Sequence, residues 1–435
     1  MSPNKIDVNE RLPILRTLPL SLQHLFAMFG ATVLVPILAG FDPSVALFTG
    51  GIGTLIYILV TGGQVPAYLG SSFAVIAGLS LINRGWGDPH AAMVGALALG
   101  LVYVAVALVV GATGTGWLDR LFPPVVIGSV VIVIGLGLAG TAVRMAGLAP
   151  NPDIPAGKEA AWVLTSVFTL LVVVFGSVRF RKFWGVIPVL IGVVAGYLFA
   201  LAVHLVDFSP VSKARWIGVP HFVFPALTPH SLAAAVLMAP IAIVLITEHI
   251  GHLLVTGKVV ERDFTRVPGL HRSLLGDGLA CTFAGLVGGP PVTTYGENIG
   301  VMAITRVFSV WVLGGAALIA IALSFVQKLG ALIQTIPEPV MGGVSIALFG
   351  VIAAAGTRLY VESQVDFSDK RNLMLASVVL VVGVGGTSLH LGSFQLDQMT
   401  LATVTGVLLN LALPGHPPAI RQEKLATSPK EQNPW

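Results

Sequence analysis

Charge is scarce in this sequence. Only 10% of its 435 residues are Asp, Glu, Lys or Arg, whereas a soluble domain carries about 25%. That excludes an ordinary water-soluble globule. The net charge of +4 points to no nucleic-acid partner and is what basic loops leave behind in a membrane protein. Cysteine is nearly absent: Cys281 stands alone in an apolar run. One thiol builds neither a disulfide framework nor a thiolate metal site within one chain. The N-terminus lacks a signal-peptide layout, because its first apolar run is long and has no cleavage site. What is present is apolar. Hydrophobic residues make up 55% of the chain and mean hydropathy is +0.89, so the sequence reads as a polytopic membrane protein.

Apolar runs are expected to span near 17–40, 46–62, 66–82, 91–112, 123–143, 160–178 and 184–206, and, after a polar divider from Asp207 to His230, near 231–255, 273–289, 291–304, 307–328, 338–356, 371–390 and 397–413. Several are near or below the roughly 17–25 residues of a full helical span, and the short runs 66–82 and 291–304 take the third place in each set. With the N-terminus inside, alternation leaves only Arg84, Arg144, Lys158, Lys213, Arg215 and Lys328 outside among the 24 basic residues. The positive-inside rule then puts both termini in the cytoplasm. The halves echo one another. Pro124, Val125, Gly128 and Gly135 match Pro339, Val340, Gly343 and Gly350 at one offset, and Ser72 falls opposite Glu297 in the third segments. Two sets of odd span number enter from opposite sides. That is the inverted repeat of a transporter, with its site near the midplane.

The stretch Thr293–Arg306, TTYGENIGVMAITR, is the focus. A Gly-Gly-Pro-Pro break at Gly288 to Pro291 precedes it, and Glu297 and Asn298 open a short apolar run. A carboxylate at a helix centre costs about 2.5–3.5 kcal/mol on insertion, so it faces a cavity or a partner. Broken backbone at that depth is tolerated only inside protein or along a water-filled cavity. The alternative is a loop dipping in at the membrane edge. Glu248, His249 and His252 lie within another apolar run. Glu248 and His252 are four apart, share a helix face and are expected to pair. The alternative for that pair is glue between helices. His24, in the first span, reads as a packing residue or as a partner of the Glu248 region. Phe73 reads as core or as a flat face against a flat ring. Glu338 reads as an interfacial cap, Asp277 as structural beside a basic loop, and His204 and His390 as interfacial. A zinc helix is disfavoured, because H-E-x-x-H needs histidines four apart around the Glu. A passive channel stays open as an alternative.

These residues resemble a known family. Glu297-Asn-Ile-Gly-Val-Met-Ala-Ile-Thr-Arg306 matches the nucleobase–ascorbate transporter signature, [Q/E/P]-N-x-G-x-x-x-x-T-[R/K/G]. Gln23-His24, Gly70-Ser-Ser-Phe73 and Glu248-His-Ile-Gly-His252 are similar to its other motifs, and the resemblance covers essentially the whole chain. Glu at the first signature position looks most like the bacterial uracil–proton symporters, whereas purine and xanthine members commonly carry Gln. The resemblance implies an all-α fold of fourteen segments in two inverted seven-segment repeats, with short antiparallel strands in the third and tenth. It implies a cytoplasmic arm (1–16), a core domain (17–113 and 231–328), a gate domain (114–230 and 329–413) and a cytoplasmic tail (414–435). It implies substrate binding by Phe73, Glu248, Gly296, Glu297 and Ser72, proton coupling by Glu248, His252, Glu297 and His24, and support from Tyr295 and Asn298. The implied activity is proton-coupled uptake of uracil and close analogues across the cytoplasmic membrane by an elevator motion, not enzymatic catalysis. No metal or cofactor beyond the coupling proton is implied; the partners are membrane lipid and a second copy joined through the gate domains. The alternatives are a purine or xanthine–cation symporter and coupling to sodium.

Overall fold

In this computed structural model, residues 5–114, 116–181, 184–391, 394–396 and 398–414 are described. The expected tail beyond Pro414, the first four residues of the arm, Lys182 and the His390 side chain lie outside them. The first half runs α1 (Ile14–Ala39), α2 (Pro43–Val60), β1 (Leu69–Ser71), α3 (Ile76–Ser80), α4 (Pro89–Thr113), α5 (Gly116–Leu121), α6 (Pro124–Gly137), α7 (Ala139–Met145), α8 (Glu159–Arg179), α9 (Pro188–Ala202) and α10 (Ser209–Lys213). The second runs α11 (Ser231–Met238), α12 (Ile241–Val260), α13 (Leu270–Val287), β2 (Val292–Thr294), α14 (Gly296–Thr305), α15 (Val310–Ser324), α16 (Gln327–Gln334), α17 (Glu338–Glu362), α18 (Lys370–Val384), a β3–β4 hairpin (Leu389–Leu391, Phe394–Leu396) and α19 (Gln398–Ala412).

The chain is therefore mostly helical, and helices cover the apolar runs except in 66–82 and 291–304, which also hold β1 and β2. Among the described residues, seven stretches are long and apolar enough to cross a membrane: α1, α2, α4, the joined α6–α7, α8, the joined α11–α12, and α17. The run expected as one span at 231–255 breaks at Ala239–Pro240, where proline lacks the N–H that a continuous helix needs. Helix starts carry local signals. Asp42 and Asp88 accept from the backbone N–H of Ser44 (2.8 Å) and Ala91 (2.9 Å), with proline at the first helical position of α2 and α4.

Small residues let the helices approach closely. A Cβ on Gly285 of α13 would lie 2.6 Å from the Leu97 backbone nitrogen of α4, and one on Gly356 of α17 would lie 2.7 Å from the Gly128 carbonyl of α6. In lipid such backbone approach supplies packing that the hydrophobic effect does not. Outward faces stay apolar, with Phe175 and Val178 of α8 exposed. Near the middle, β1 and β2 pair antiparallel, with Leu69 opposite Thr294, Gly70 opposite Thr293 and Ser71 opposite Val292. The pair satisfies backbone groups that the broken segments would otherwise leave bare. It also brings two stretches more than 200 residues apart in the chain into one place.

Candidate functional site

The paired strands set the geometry of the site. After β1 the chain turns into a 3₁₀ turn at Phe73–Val75, and the Ser72 hydroxyl caps it by accepting from the Ala74 N–H at 3.2 Å. The same hydroxyl donates to Glu248 Oε2 of α12 at 3.2 Å. After β2, Tyr295 precedes α14, whose first turn carries Glu297 and has no side-chain cap. A helix N-terminus left open this way favours a carboxylate or a ligand oxygen.

Tyr295 locks the strands together. Its hydroxyl donates to the Ser71 carbonyl at 3.0 Å and accepts from Thr32 of α1 at 3.3 Å. Its ring lies over Gly70, where a Cβ would come within 2.5 Å of it. Only glycine leaves room for this contact. Gly296 is close to α12, and a Cβ there would sit 3.3 Å from His252 Nε2. The other ring nitrogen of His252 lies 3.2 Å from the Thr294 hydroxyl. The Asn298 amide donates to the His24 carbonyl at 3.1 Å, and its nitrogen is also 3.1 Å from His24 Nδ1. Phe73 is buried and meets Phe349 of α17 edge-on, with ring centroids 5.7 Å apart.

The structure thus gathers Ser72, Phe73, Glu248, His252, Tyr295, Gly296, Glu297, Asn298 and His24 around the strand pair. One expectation is corrected. Glu248 and His252 do not pair with each other, although they share a helix face. Glu248 is taken by Ser72 and His252 by Thr294, because both broken segments pass alongside α12 and offer hydroxyls nearer than the next turn of the helix.

A second cluster escaped the sequence reading. Asp277 of α13, expected to be structural near a basic loop, is fully buried. Its Oδ2 accepts from the Tyr103 hydroxyl at 2.9 Å and lies 2.9 Å from His249 Nδ1. His249 Nε2 is 2.7 Å from the Ser273 hydroxyl, which is 2.6 Å from that of Tyr57. A buried carboxylate is tolerated when paired and hydrogen-bonded. This chain of groups joins α2, α4, α12 and α13 directly behind Glu248. The available signal was an acid within an apolar helix.

Solved structures show the fold. The chain superposes on the transmembrane domain of a cyanobacterial bicarbonate transporter, BicA, with a TM-score of 0.60 and 15% identity, covering 87% of this chain and 99% of that one. It also superposes on the murine Solute Carrier 26 family member A9 anion transporter with a TM-score of 0.70 and 12% identity, covering 92% of this chain and 69% of that one. At those identities the likeness speaks for the fold alone. The helical fold is one that this chain shares with those two proteins, and its long apolar helices mark it as an integral membrane protein.

A family model, Xan_ur_permease, described as "Permease family", matches residues 15–392. The chain belongs to this family, and its members are transporters rather than enzymes. Among its relatives is the uracil permease of Bacillus caldolyticus, 54% identical, with 96% of this chain and 97% of that protein covered. The uracil permease of Bacillus subtilis (strain 168) is 53% identical over 91% of this chain and 92% of that protein. That of Escherichia coli (strain K12) is 49% identical over 94% of each.

Proposed function

We propose that this protein imports uracil across the cytoplasmic membrane together with a proton. The observation that carries the reading is the convergence of Glu248 and Glu297 from two helices on the β1–β2 pair, beside Phe73. Relatives near 50% identity named uracil permease support the substrate.

The chemistry fits. Uracil is a small flat ring that alternates N–H donors and C=O acceptors. Glu248 and Glu297 accept from ring N–H groups when ionised and donate to a carbonyl when protonated. Backbone groups beside Phe73 and Gly296 complete the pattern, and Phe73 offers its ring. A site built from such hydrogen bonds rejects rings that leave its buried groups unpaired.

In this reading a proton from outside neutralises Glu248 or Glu297, with His252 and His24 tuning them, and the two carboxylates titrate as one unit. Neutralisation lowers the cost of moving the site through a low-dielectric path. The core domain, 17–113 with 231–328, then slides as an elevator against the gate domain, 114–230 with 329–413. The fourteen-segment inverted repeat, the cytoplasmic termini and a homodimer through the gate domains belong to the same proposal.

Equilibrium binding to the purified protein tests the substrate. Uracil is expected to bind and xanthine to compete weakly. Displacement by xanthine as effective as by uracil would favour a purine carrier instead.

A further inference from the structure

The signature's last residues, Thr305 and Arg306, are remote from the substrate groups, and so is the N-terminal arm. The structure places them together. Arg306 ends α14 in a left-handed turn (φ 57°), and Glu261 ends α12 in another (φ 63°). Residues 6–10 run alongside the connector between α14 and α15. The Ile6 N–H donates to the Arg306 carbonyl at 3.0 Å, the Phe308 N–H to the Ile6 carbonyl at 3.0 Å, and the Val310 N–H to the Val8 carbonyl at 2.9 Å. The Ser309 hydroxyl donates to the Glu10 carbonyl at 2.7 Å, and Val8 is fully buried.

From this strand, two side chains cross to the end of α12. Both carboxylate oxygens of Asp7 accept from Arg262 Nη2, at 2.7 and 2.8 Å, and Lys5 donates to Glu261 at 2.8 Å. The Lys5 hydrogen bond holds the Glu261 carboxyl below the usual carboxylate range. One short segment therefore ties together the ends of the two helices that carry the site.

Both helices run from the site to their tied turns. Glu248 stands thirteen residues and His252 nine before Glu261, and Glu297 stands nine before Arg306. At 1.5 Å per residue Glu248 lies about 20 Å from its tied turn, and His252 and Glu297 about 13 Å from theirs. Fixing the two turns against each other fixes the depth of one helix relative to the other.

We propose that Lys5–Glu10 is a positioning strap, with Asp7–Arg262 as its principal tie, that holds α12 and α14 in register so that Glu248 and Glu297 meet one substrate. This rests on the uracil reading for its substrate but not for its geometry. A single exposed ion pair is worth little alone. Here it closes a backbone-paired segment anchored by a buried valine, so its loss frees the whole strap.

The test uses the full chain in detergent or nanodiscs. Asp7→Arg, Arg262→Asp and the double swap are compared with the unaltered protein, and Asp7→Asn serves as the mild variant. Hydrogen–deuterium exchange is read over residues 257–262 and 294–308, alongside uracil affinity. Each single reversal is expected to speed exchange in both windows and to weaken uracil binding by about fivefold or more, as remote coupling residues do. The swap should restore both, because it restores the pair. Unchanged exchange in both windows with every variant would overturn the strap, whatever the ligand proves to be. Failure of the unaltered protein to bind uracil would instead overturn the substrate reading, and the exchange data would still decide the strap. Faster exchange spread evenly over the whole chain, not restored by the swap, would mean general unfolding and would also overturn it.

Discussion

At the scale of single residues, the proposal gives Glu297 and Glu248 parts that substitution can tell apart. Glu297 stands in the first turn of α14 with no cap competing for that helix end. Removing a charged hydrogen-bond partner costs about 1.5–3 kcal/mol, or roughly 10–100-fold in affinity. Glu297→Ala should therefore weaken uracil binding by that factor, as isothermal calorimetry would read. Glu248 already holds the Ser72 hydroxyl. Glu248→Gln keeps an acceptor there but cannot take up a proton. It should retain measurable uracil binding in the same calorimetry yet fail to accumulate uracil against a gradient; accumulation at the normal level would remove Glu248 from the coupling step. Glu297 was legible in the sequence, because a carboxylate after a Gly-Pro break in an apolar run has few harmless explanations. The expected Glu248–His252 pairing was misleading for an equally physical reason. Helical spacing reports which residues can meet, not which hydroxyls a distant segment will bring closer.

At the scale of elements, the site depends on two supports that make no contact with substrate in this account. The first is the β1–β2 pair under Tyr295. Gly70→Ala would drive a methyl into the tyrosine ring, and overpacking of that kind costs about 1–3 kcal/mol. A lowered unfolding midpoint with weakened uracil binding is expected. The second is the buried His249–Asp277 pair with Tyr103, Ser273 and Tyr57. Breaking one member of a buried pair costs about 3–5 kcal/mol. Asp277→Ala should accordingly lower the midpoint further than Gly70→Ala does, and equal midpoints would mean that the pair carries little of the scaffold. The strand pair was implied by the family resemblance, but the buried pair was not readable beforehand. Asp277 and His249 are 28 positions apart and Asp277 lies only five beyond Arg272, so chain proximity pointed to the neighbouring basic loop rather than to His249. The strap was hidden more completely, since Asp7 and Arg262 are 255 residues apart and both look like ordinary solvated charges.

At the scale of the whole molecule, composition settled the membrane class, and hydropathy located the helices to within a few residues. Helix α1, for instance, covers Ile14–Ala39 where 17–40 was expected. What hydropathy missed were breaks inside apolar runs, as at Ala239–Pro240, where composition stays apolar while the helical hydrogen bonding is interrupted. The family signature compressed the rest. Its Glu-Asn opens α14 beside the paired strands, and its Thr-Arg closes the same helix where the N-terminal segment docks. Both ends of one motif thus serve one short helix. The central claim is that this arrangement moves uracil with a proton. The most direct test is uptake of radiolabelled uracil by the purified protein in liposomes, with and without an inward proton gradient and with unlabelled xanthine or sulfate as competitors. The account predicts uptake that rises with the gradient and is suppressed by uracil analogues but not by xanthine or sulfate. Uptake indifferent to the gradient, or suppressed by xanthine as strongly as by uracil, would contradict it.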